Sequence, residues 1–125
     1  MAANNIESFA LWLSERCEFL RNLENEAERE LQINKDTDKY RALMNQKALF
    51  LQALPEEAEK HAANLSGEAA DFALERLEQF AANASVALRL NSVFYMSALL
   101  YPDDHKKGDP NNLDRLAASL RAMTD

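Results

Sequence analysis

A chain of 125 residues, 47% of them hydrophobic, is long enough for one ordinary core and too apolar to stay disordered. Two glycines and three prolines leave little material for hairpins, which argues against a sheet-rich fold. The formal net charge of −7 repels phosphate, so nucleic acid and anionic membranes are not expected partners.

The opening "MAANNIESFALWL" has no basic residue ahead of its apolar part and does not read as a signal peptide. Asn4 can cap a helix, with Glu7 completing a capping-box start. Ile6, Phe9, Leu13, Cys17, Leu20, Leu23, Ala27 and Leu31 then recur at steps of three or four, one face of a first helix reaching about Ile33. Cys17, the only cysteine, sits on this stripe as a small core residue; having no partner for an internal disulfide, it fits a reducing compartment.

"NKDTDKY" breaks the pattern, and Asp36 or Thr37 is placed to cap a second helix. Its stripe is Tyr40, Leu43, Met44, Ala48, Leu51, Leu54, Ala58, Ala62 and Leu65. Pro55 interrupts it, and a proline inside a helix costs ~3 kcal/mol or more. The rhythm nevertheless passes Pro55 in phase, while Glu56, Glu57 and Glu59 follow as acids do at a fresh helix start. One kinked helix and two shorter ones are both open.

At "NLSGEAA" the chain reverses, with Ser66 as a capping residue. A third stripe of Ala70, Ala73, Leu77, Phe80, Ala84, Ala87, Asn91, Phe94 or Tyr95, and Ala98 predicts a helix from Gly67 to Tyr101, stopped by Pro102. A short last helix begins at Asn111 or Asn112 and carries Leu113, Leu116, Ala117, Leu120 and Met123. The expected fold is therefore all-α, an antiparallel up-down bundle of three long helices, the second kinked or split at Pro55, plus a short C-terminal helix, with residues 1–125 forming one domain.

"YPDDHKKGDPNN" has the density of charge that a metal loop has. Reading back from Gly108, however, puts Lys107 where a calcium ligand should stand, so it reads as a polar bend. In "PEEAEKH", Glu57 and His61 are four apart and share a helix face, but Ala58 occupies the position a di-iron glutamate would take. No glycine-rich loop exists for phosphate, and neither histidine has an evident link to Cys17. No catalytic, cofactor or metal residue is expected.

The run "VALRLNSVFYMSALLY", Val86 to Tyr101, is apolar almost all round its helix and shorter than the ~20 residues of a membrane span. Val93, Phe94, Tyr95, Met96, Leu99 and Leu100 exceed what one buried stripe needs. Either the last helix covers the surplus or a partner or second copy does. Trp12 and Phe19 form a smaller surplus on the first helix, expected to bury against the last one.

Glu30, Leu31, Asp36, Tyr40, Leu43, Met44, Lys47, Leu51 and Leu54 make a long helix, an acidic break, and a second long helix with a central lysine. Over this one hairpin the pattern is similar to small helical export chaperones of secretion and flagellar systems, a resemblance that implies binding of another protein. The functional expectation is a non-catalytic, cytoplasmic protein-interaction module that binds a protein partner or itself. The alternative is a small metal protein or enzyme using Glu57 and His61.

Overall fold

The computed structural model describes residues 2–123, and every regular element among them is an α-helix. In chain order these are α1 (Ala2–Gln32), α2 (Thr37–Ala62), α3 (Gly67–Arg89), α4 (Val93–Ala98) and α5 (Asn112–Ala122). The all-α expectation holds. No described helix is long and apolar enough to cross a membrane.

The apolar stripes decide the packing. Leu13, Leu20, Leu51, Leu77, Leu113 and Leu120 are fully buried, and each such side chain contributes about 2 kcal/mol by leaving water. Ala10, Ala27, Ala48, Ala58, Ala73 and Ala84 have no exposed surface either, which lets the helices approach closely between the leucines. α2 lies between α1 and α3, while α5 packs on α1 and α3. Cross-contacts give the direction. Arg16 meets Glu57 and Lys47 meets Glu24, so α1 and α2 are antiparallel. Glu7 meets Arg121 and Arg21 meets Asp114, so α1 and α5 are antiparallel too. The last helix is thus the short fourth member of an up-down bundle.

The helix ends differ from the sequence expectation at several points. α1 starts at Ala2, ahead of the cap expected at Asn4. It stops where Lys35 takes a left-handed φ of 54° and the Asp36 amide reaches back to the Glu30 carbonyl. Asp36 then caps α2, accepting from the Lys39 amide. α2 is one element, running through Pro55 rather than dividing there. Ser66 caps α3 as expected.

The third helix is shorter than the stripe suggested. It ends at Arg89, Asn91 takes a left-handed φ of 51°, and the Ser92 amide bonds the Ala87 carbonyl. Asn adopts that conformation more readily than other non-glycine residues, and Ser92 at once caps α4 through the Tyr95 amide. The change of direction turns Met96, Leu99 and Leu100 of the run Val86 to Tyr101 into the core and leaves Leu90, Phe94 and Tyr95 outside. After the break α4 packs on α2 and α3, and the principal partners of α5 are α1 and α3. Of the two alternatives for the surplus, cover by the last helix does not extend to Phe94 and Tyr95, which stay exposed.

Candidate functional site

Lys47 lies on the buried face of α2, three residues after Met44 and four before Leu51, and its side chain has no exposed surface. A lone ammonium there would cost several kcal/mol in lost hydration. Three partners offset that cost. Lys47 Nζ is 2.8 Å from Glu24 Oε2 on α1, donates to the Ser97 carbonyl of α4 at 3.1 Å, and sits 5.0 Å from the centre of the Tyr101 ring. The Tyr101 hydroxyl donates to Glu24 Oε1 at 2.6 Å. Both carboxylate oxygens are engaged, and the ammonium has two acceptors and the face of an aromatic ring. Burial lowers the Lys47 pKa against the raising effect of Glu24. Burial, followed by the bond to Glu24, raises that of Tyr101. This cluster locks α1, α2 and α4 together and leaves no free nucleophile.

Outside the cluster is a groove of about 750 Å³ whose walls include Glu28, Tyr40, Tyr101 and His105, with Lys47 buried behind them. Its far wall is the segment from Tyr101 to Asn111, which behaves as the bend expected from its prolines and glycine. The His105 amide bonds the Pro102 carbonyl, the Asp109 amide bonds the Lys106 carbonyl, and Gly108 has a φ of 94°. His105 Nε2 donates to the Asp109 carbonyl at 3.0 Å, and its ring meets Tyr101 edge-on at 4.7 Å. The Asn112 amide donates to the Leu100 carbonyl at 3.0 Å and closes the neck of the loop. Sequence reasoning did not anticipate that this bend would form one wall of the groove.

At the start of α5, Asn111 and Asp114 form a reciprocal capping box. Asn111 is buried and touches Cys17, with Sγ 3.4 Å from Oδ1. Asp114 pairs with Arg21. Burial pushes the Cys17 thiol up from 9.0 to about 11; Asn111 opposes this and Asp114 adds to it. Such a thiol is inert at neutral pH.

The residues expected to face a partner divide into two groups. Met96, Leu99 and Leu100 are buried in the core and Val93 is half-buried against it, so these four are removed from any outer face. Phe94 and Tyr95 point outward, 74% and 51% exposed, with ring centroids 5.9 Å apart. Leu90, just before the break, is 57% exposed. Trp12 and Phe19 are not under α5. Trp12 packs on Phe9 and stacks on His61 at 4.4 Å, and Phe19 stacks on Phe50 at 4.8 Å, along the seam of α1 and α2.

Glu57 and His61 share a face of α2 but turn to different neighbours, Glu57 to Arg16 at 3.8 Å and His61 to the Trp12 ring. Among the described residues no three acidic, histidine or cysteine side chains converge as a metal site would require. No family model, curated protein or solved structure matches this chain.

Proposed function

We propose that the chain is a non-catalytic protein-interaction module that presents Phe94 and Tyr95 to another protein or to a second copy of itself. The observation that carries this reading is the exposure of two adjacent aromatic rings, 74% and 51%, on a six-residue helix fixed from its other side. Met96 anchors α4 in the core, and the Ser97 carbonyl holds Lys47. A rigid platform of this kind loses little conformational entropy on binding, and aromatic side chains are enriched among the anchors of protein interfaces. Leu90, just before the break, is a third exposed apolar side chain in this stretch of the chain.

Phe94→Asp and Tyr95→Asp change exposed positions, so the variants should keep the fold. Self-association requires a solution mass above the 14.1 kDa of one chain, falling to it in the Phe94→Asp variant. A different partner requires a monomer that captures a protein through native α4 and loses it in the variant. A monomer whose binding is the same with or without the two rings overturns the proposal.

A second reading is a small-molecule site in the groove beside Lys47. Its volume of about 750 Å³ falls in the range of ligand pockets, roughly 300–1,000 Å³. The Lys47 and Tyr101 polar groups are already satisfied by Glu24, which leaves the walls at Glu28 and Lys107 to supply recognition.

A further inference from the structure

A second groove, of about 280 Å³, runs between α3 and α5 on another part of the molecule, and its composition departs from the acidic character of the chain. Phe72 and Phe80 of α3 and Leu116 of α5 supply its apolar surface, while Arg76 of α3 and Arg115 of α5 supply two guanidinium groups. Phe72 and Phe80 are half-buried and packed against the core, so the apolar walls are fixed. The Arg76 guanidinium stands 5.7 Å from the centre of the Phe72 ring.

The charge of this groove is unbalanced. Among the described residues neither Arg76 nor Arg115 makes an ion pair with a carboxylate. Asp114, next to Arg115 in sequence, turns to the other flank of α5, where Arg21 and the Asn111 amide take its charge. Glu75 and Glu78 lie on α3 beside Arg76, and neither pairs with an arginine.

We infer that this groove binds a small organic carboxylate with an aromatic or branched apolar body. The guanidinium fork matches a carboxylate through paired N–H donors, and the phenylalanine rings accept the apolar part. A cavity of about 280 Å³ holds a body of one ring or a short branched chain. A metal cation is repelled by two arginines, and an uncharged apolar molecule gains nothing from them.

The test is a titration of the full chain, followed by amide NMR shifts, with phenylacetate, with phenylethanol and with acetate. Phenylacetate should give saturable shifts confined to α3 around Phe72 to Phe80 and to the first half of α5. Phenylethanol lacks the charge and acetate the ring, and each should bind about tenfold or more weakly, as should phenylacetate to Arg76→Gln or Arg115→Gln. Both arginines are exposed, and circular dichroism verifies that the variants remain folded. The inference is overturned if phenylacetate gives no saturable shift, if phenylethanol binds as well, if the arginine variants bind unchanged, or if the shifts centre on Phe94 and Tyr95.

Discussion

Lys47 and Glu24 form a pair whose two members are not equivalent. Lys47 is wholly enclosed, whereas the Glu24 side chain keeps 17% of its surface exposed and can still meet water. Glu24→Ala leaves an ammonium with no counter-charge and should cost about 3–5 kcal/mol in urea unfolding; Lys47→Met should cost clearly less, and Glu24→Leu with Lys47→Met should recover most of the loss. Equal costs for the two single changes would mean that Lys47 is hydrated in solution. Cys17 gives a pH prediction. Its folded pKa is raised, so between 9.0 and about 11 the folded chain holds a proton that the unfolded chain has released. Its contribution is complete below that interval and is lost as the pH rises through it. Tyr101, also raised, acts in the same sense above 10.0, whereas the lowered Lys47 acts in the opposite sense below 10.5. Cys17→Ala should therefore flatten the alkaline decline of the urea midpoint between 9.0 and 11. An unchanged slope would show that the thiol is not desolvated.

The helices themselves were legible because a three-four apolar rhythm is a direct consequence of helix geometry, and the stripes of Leu13, Leu51, Leu77 and Leu113 all face the core. Their breaks were harder to read. Asn91 and Lys35 end helices by taking a left-handed conformation, and nothing in the rhythm marks such a residue unless it is glycine. Lys35 has an exposed side chain and a conformation that glycine adopts without strain, so Lys35→Gly should raise stability by about 1 kcal/mol in thermal melts, whereas Asn91→Val should lower it by a similar amount or more. A loss on Lys35→Gly would mean that the left-handed turn does not form. The two-sided apolar run before Pro102 misled the reading because it serves two elements, with Met96 in the core and Phe94 outside. Lys47 did leave a trace, a charge at an in-phase position of the second stripe. Glu24 left none: its partner lies 23 residues away by number (47 − 24), and only the pairing of α1 with α2 unites them.

At the scale of the molecule, α5 completes the core with Leu113, Leu116 and Leu120. A buried leucine lost to a cavity costs ~2–5 kcal/mol, and three together match the ~5–15 kcal/mol that holds a domain folded, so a chain lacking residues 109–125 should lose most of its helical circular dichroism. Retention of the full signal would mean that the three long helices are self-sufficient. The bond from the Asn112 amide to the Leu100 carbonyl pinches the chain shut on either side of the bend, so the covalent path through Lys106 and Lys107 is a detour, with the two ends already tied by contacts outside it. Trypsin should cut there first, and the nicked product should run as one species, because α5 is retained by its leucines and its pairs to Glu7 and Arg21. The protein can then be made as two pieces. The piece ending at Lys106 has lost the leucines of α5 and should regain its helices only when its own C-terminal peptide is returned, so that binding of the labelled peptide is read as folding.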